Sequence, residues 1–137
     1  MERIKVFLDT NIVIDYYTGR MNDGIAEKIV QAGDSSEYQM CISILTGINA
    51  LYVLKKFSSD VGLSTLSSQF RILPMSCEQW NQAAWMDLDD SEDALQVACA
   101  RENGCRIIVS RDRRLLASGI MSPDIFAPED FIREISL

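Results

Sequence analysis

Short apolar runs alternate with stretches of helical periodicity along this chain. Ile4 to Leu8 is apolar apart from Lys5 and stops at Asp9, the signature of a buried strand. Thr10 or Asn11 then caps a short helix through Tyr17, ended by Gly19. A second helix starts at Asn22 or Asp23, carries Ile25, Ile29 and Val30 at helical spacing, and stops before Gly33. Gln39 to Ile42 reads as a strand. Ser43 reads as the N-cap of a helix to about Phe57, with Ile44, Ile48, Leu51, Val53 and Leu54 apolar. Ser58 to Gln69 reads as helix, Arg71 to Leu73 as a short strand before Pro74, and Ser76 to Met86 as helix. Asp90 or Ser91 opens another helix, with Ala94, Leu95, Val97 and Ala98 along it and Gly104 at its end. Arg106 to Val109 is a strand and Ile125–Phe126 a last short one. Pro128 takes the first position of a terminal helix.

Strands separated by helices of this length predict an α/β fold of three layers. A central parallel sheet of about four to five short strands is flanked by helices, and residues 1–137 form one domain. In such sheets, sites form beyond the carboxyl ends of the strands. Three positions qualify: Asp9 after the first strand, Ser43 after the second, and Asp112 after the strand ending at Val109.

Composition narrows the chemistry. The chain is 47% hydrophobic and 24% charged, as expected of a globular protein with a real core. Charges at Glu2, Arg3, Lys5 and Asp9 interrupt any signal-peptide core, and the longest uncharged stretch, Tyr38 to Leu54, is too polar for a membrane span. The expectation is a cytoplasmic protein. Cys41, Cys77, Cys99 and Cys105 form no CxxC pair and suit small buried hydrophobes better than zinc ligands. There is no histidine, which removes Ser-His-Asp and Cys-His catalysis; carboxylates, a metal or both must do any chemistry. A net charge of −7 argues against a broad basic face for nucleic acid, though not against acids gathered into a metal site with bases around it.

The segment "DLDDSEDALQ" packs Asp87, Asp89, Asp90, Glu92 and Asp93 around a helix start. Acids suit a helix N-terminus, but their density carries repulsion that a cation would relieve. Asp93 stands where the helix turns apolar, facing the sheet edge. Asp9 and Asp112 end strands that could be neighbours. Three converging carboxylates would offer oxygen ligands to magnesium or manganese, the equipment of phosphodiester hydrolysis. In "SRDRRLL", Asp112 could also be a plain turn residue. Arg111, Arg113 and Arg114 around it are either solvated or candidate phosphate contacts.

In this order the motifs resemble the PIN-domain family of ribonucleases, which includes VapC-type toxins, over nearly the whole chain. "VFLDTNIVIDYY" looks like the family's opening strand with a metal-binding aspartate, Asp9, and a supporting asparagine, Asn11. "DDSEDALQVACA" is similar to its acidic helix start, with Asp93 as ligand and Glu92 close by. "CRIIVSRDRRL" is similar to its late strand, Ser110 and Asp112 holding the polar places, and "IFAPEDFI" resembles its final strand and helix. The resemblance implies a Mg2+- or Mn2+-dependent endoribonuclease acting on RNA, a homodimer, and a small antitoxin whose basic tail occupies the acidic site. One position departs from the pattern. In "CISILTGINALYVLKK", Asn49 stands where most of the family carries a glutamate, with Asp90 or Glu92 as a replacement oxygen.

Two functions follow from that departure. The first is a ribonuclease whose Asp9, Asp93 and Asp112 hold the metal while Asn11 and Ser110 orient them. The second is a catalytically degenerate PIN-like module that binds or regulates, supported by Asn49 and opposed by retention of the three aspartates. Other parallel-sheet readings fit less well. A receiver domain needs an acidic pair at the first strand, a haloacid-dehalogenase phosphatase a second aspartate where Asn11 stands, and a Rossmann binder a glycine-rich turn. Trp80 and Trp85 read as packing residues, at a dimer surface for instance.

Overall fold

The computed structural model describes residues 2–57 and 59–136. Among these residues five strands form one parallel sheet: β1 (Ile4–Leu8), β2 (Tyr38–Ser43), β3 (Arg71–Leu73), β4 (Ile107–Val109) and β5 (Asp124–Phe126). Their order across the sheet is β3-β2-β1-β4-β5. The chain winds outward from β1 to β3 and then crosses to the other side of β1. The carboxyl ends of β1 and β4 therefore flank the reversal point, where parallel sheets open a crevice.

Among the described residues eight α-helices cover the sheet: α1 (Thr10–Thr18), α2 (Ile25–Gln31), α3 (Ile44–Leu54), α4 (Leu63–Gln69), α5 (Cys77–Ala84), α6 (Ser91–Glu102), α7 (Arg113–Leu116) and α8 (Pro128–Ile135). Strand alternation divides the core in two. Val6, Leu8, Met40, Ile42 and Val109 pack one sheet face against α1, α2, α3 and α8. Phe7, Cys41, Leu73 and Ile108 pack the other against Val97, Cys99 and Ala100 of α6 and Leu115 of α7. Three layers result, as the alternation of strands and helices predicts.

Several boundaries differ from the sequence reading, each for a local reason. The N-cap of α1 is Asp9, not Thr10 or Asn11: its carbonyl accepts from Ile12 N–H and its Oδ1 from Thr10 N–H. The helix stops at Gly19, whose φ of 63° favours a residue without a Cβ. The second helix starts only at Ile25, because Asn22 and Gly24 both take left-handed conformations and Asp23 instead bonds Ile25 N–H. The α3 helix ends at Leu54 and tightens into a 3-10 turn at Lys55–Phe57. Within it Ala50 and Leu54 are buried, whereas Ile44, Ile48 and Tyr52 form an exposed apolar row. The next helix begins at Leu63, after the extended Gly62 whose N–H donates to Thr65 Oγ1. Ser58, read as the start of that helix, lies outside the described residues. Asp112 opens the unanticipated one-turn helix α7. Cys41, Cys99 and Cys105 are buried and Cys77 is exposed; all four are free thiols. No helix among the described residues is long and apolar enough to cross a membrane.

Candidate active site

Asp9 sits one residue beyond β1, and its N–H continues the ladder by donating to Val109 O at 3.0 Å. Its carboxylate is 9% exposed and held at both oxygens. Thr10 N–H donates to Oδ1 at 2.8 Å and the Ser110 hydroxyl to Oδ2 at 2.6 Å. Asp9 is thus at once a helix cap and a fixed carboxylate at the sheet edge. The two roles use different lone pairs, so they do not compete.

The segment after β4 carries the second acid. Ser110 is fully buried, and its oxygen accepts the Asp112 N–H at 3.0 Å. Asp112 caps α7, accepting from Arg114 N–H at 2.9 Å. Asn11 reaches this segment and no carboxylate: its Oδ1 lies 3.5 Å from Arg111 N. Among the described residues Arg111 makes its ion pair with Asp15 and not with Asp9, Asp93 or Asp112. Its Nε and Nη2 grip Asp15 at 2.7 and 3.1 Å, so in this conformation it is not a phosphate contact. Arg113 and Arg114 remain exposed beside Asp112.

The third group comes from the start of α6. Asp90 is the N-cap, its Oδ1 accepting from Asp93 N–H at 3.0 Å, and Asp93 is buried to 9% exposure. Asn49 of α3 donates to Glu92 Oε1 at 2.7 Å, so α3 meets this cluster through an amide that holds an acid. Beneath them a buried triangle locks α6 to the end of β2. Ser43 Oγ donates to Gln96 Oε1 at 2.7 Å, and Gln96 Nε2 to Thr46 Oγ1 at 2.6 Å. An open cleft lined by Asp87, Asp89, Asp90, Asp93 and Arg114 leads away from the cluster.

These acids feel one another. Burial, then the charges of Asp90, Asp112, Asp9 and Glu92, push Asp93 up to about 7. Asp9 is raised by burial, against the lowering bonds from Ser110 and Thr10, with the charges of Asp112 and Asp90 adding to the rise. Glu92 is raised as well, by burial first, opposed by its bond from Asn49 and reinforced by Asp9 and Asp90. None of the five has an ion-pair partner among the described residues, where the pairs are Arg20 and Arg111 with Asp15 and Arg133 with Asp130. A set of hard oxygen donors from three elements, charge-coupled and without an ion-pair partner among the described residues, has the chemistry of a divalent-metal site. Among the described residues no three acids or thiols already stand at coordinating spacing, so a shared ion would have to draw the side chains together.

Sequence reasoning missed Asp15, Thr46 and Gln96. Asp15 left a trace, an acid inside the otherwise apolar run "IVIDYY" of α1, where a charge survives burial only if paired.

The PIN domain family model matches residues 5–114, from the start of β1 into α7. The chain belongs to the PIN domain family. Among curated PIN-related proteins it is similar to Ribonuclease VapC1 of Aquifex aeolicus (strain VF5), 26% identical over 134 residues, covering 91% of this chain and 90% of that one. Its PIN fold is shared with a toxin–antitoxin complex from Klebsiella pneumoniae, with a TM-score of 0.70 at 24% identity, covering 90% of this chain and 97% of the other. It is also shared with VapBC2 from Rickettsia felis bound to a DNA fragment from its promoter. That likeness has a TM-score of 0.66 at 14% identity and covers 90% and 98% of the two chains.

Proposed function

We propose that this PIN domain is a divalent-metal-dependent endoribonuclease, the toxin of a toxin–antitoxin pair. The observation that carries the reading is the group of mutually repelling carboxylates at the β1–β4 reversal point, none of which has an ion-pair partner among the described residues. The similarity to a protein named as a ribonuclease supports the reaction class.

Asp9, Asp93 and Asp112 would hold Mg2+ or Mn2+, with Glu92, kept in place by Asn49, supplying a further oxygen. The ion would acidify water and stabilise charge on a phosphoryl oxygen of RNA. The chain's own residues supply the frame. Ser110 and the Thr10 N–H fix both Asp9 oxygens against rotation, and Ser110 orients the backbone of Asp112. The exposed Arg113 and Arg114 lie beside the cluster, where they can meet the phosphates flanking the scissile bond.

The acidic cleft leading from the site suits a small antitoxin with a basic tail, which the toxin–antitoxin relatives support. The exposed row Ile44, Ile48 and Tyr52, with Trp80 and Trp85, supports association with a second copy. Asn49 is the observation favouring a degenerate, binding-only module; its bond to Glu92 weakens that case by keeping an acid on the α3 side of the cluster.

The test is incubation of the purified chain with a labelled RNA and the matched DNA, in Mg2+ or Mn2+ and in EDTA. Cleavage of the RNA that EDTA abolishes is expected. Metal binding without cleavage of any of a panel of RNAs would favour the degenerate module.

A further inference from the structure

Asp15 is a buried carboxylate near the site that the proposed mechanism does not use. It lies on the inner side of α1 at 4% exposure, between the buried Ile14 and the half-buried Tyr16. Two guanidinium groups share it. Arg20 Nε binds Oδ1 at 2.6 Å, and Arg111 binds both oxygens in a fork, Nε to Oδ2 at 2.7 Å and Nη2 to Oδ1 at 3.1 Å. A forked pair fixes the plane of the guanidinium as well as its place.

Arg111 stands between Ser110, which touches Asp9, and Asp112. Its chain neighbours thus lead to two carboxylates, Asp112 directly and Asp9 through the Ser110 hydroxyl. Were it free, its guanidinium fork would suit any carboxylate within reach, and its fixed positive charge would oppose a divalent ion at the same acids. Asp15 gives it a different partner, and the two arginines leave that partner no unpaired charge.

We propose that Asp15 is a positioning residue that withholds Arg111 from the Asp9–Asp112 carboxylates and so keeps them available to a divalent cation. The inference rests on the metal-site reading above. It differs from a plain clamp, in which Asp15 would matter because Arg111 braces the Ser110–Asp112 segment. A clamp needs Arg111; withholding needs only that Arg111 be occupied or absent.

Manganese binding to the full chain, by titration calorimetry, separates the two, with a thermal melt of each protein in EDTA to establish folding. Asp15→Asn is expected to weaken Mn2+ binding by about tenfold, the effect of one added positive charge beside the carboxylates. Arg111→Met is expected to bind as the wild type does, and the double variant Asp15→Asn/Arg111→Met to recover wild-type affinity. Asp15→Ser, a second uncharged variant, serves if Asp15→Asn does not fold. Loss of affinity in Arg111→Met, or a double variant as weak as the single, would overturn the proposal while leaving the metal site standing. Absence of Mn2+ binding in the wild type would overturn the metal-site reading, and this inference with it.

Discussion

The Ser110 hydroxyl donates to Asp9 Oδ2 at 2.6 Å while its oxygen accepts the Asp112 N–H at 3.0 Å. One fully buried side chain thereby ties the acid after β1 to the acid after β4. Replacing it leaves a buried carboxylate oxygen and a backbone N–H without these partners. Ser110→Ala should cost about 1.5–3 kcal/mol of stability, the range for hydrogen bonds to charged groups. Urea denaturation reads this directly, and a loss below about 0.5 kcal/mol would mean that water or a neighbour replaces the hydroxyl.

The raised Asp93 carboxyl makes stability depend on pH in an unusual direction for an acid. Between the ordinary value of 3.8 and its folded value of about 7, the folded chain binds more protons than the unfolded one. The stabilising contribution is complete below the lower value and lost as pH rises through the upper. Asp9, also shifted upward, acts in the same sense. In EDTA, melting temperature should therefore fall from pH 5 to pH 8 on account of this cluster, and Asp93→Asn should flatten the decline. A variant with the same pH profile as the wild type would show that Asp93 does not carry it.

Asn49 donates to Glu92 Oε1 at 2.7 Å. Asn49→Asp exchanges that donor for a second negative charge at the same spot. The variant should melt below the wild type in EDTA at pH 8, and added Mn2+ should raise its melting temperature by more than it raises the wild type's. An equal Mn2+ shift in both proteins would remove position 49 from the metal's surroundings.

The triangle of Ser43, Thr46 and Gln96 is buried and closed. Gln96→Leu keeps the volume and leaves the hydroxyls underpaired, at a cost of about 1–3 kcal/mol. Denaturant midpoints measure it. Because α6 carries Asp93, RNA cleavage should fall in the same variant even under conditions where it is fully folded.

The parts of this molecule written in local pattern are the parts that could be read from its sequence. The run from Ile4 ends at an acid because the strand ends there, and Gly19 stops α1 because its φ of 63° suits glycine. The acids around Asp90 announce a helix start because capping and helix dipole favour them there. The α1 cap is Asp9 and not Thr10 or Asn11, since Asp9 can cap and still present an oxygen to the sheet edge. What pairs across long separations leaves little local trace. Arg111 looked like a phosphate contact among other arginines, and only the fold brings it to Asp15. The apolar positions of α3 fall on more than one face, and the sheet covers only one of them, so Ile44 and Ile48 stay exposed.

Cleavage of a labelled RNA in Mn2+ by the wild-type chain and by Asp9→Asn, side by side with an EDTA control, tests the site most directly. The wild type should cleave, and both the variant and the EDTA control should fall to background. Cleavage by Asp9→Asn at the wild-type rate, or cleavage that survives EDTA, would contradict a metal-dependent site at the end of β1.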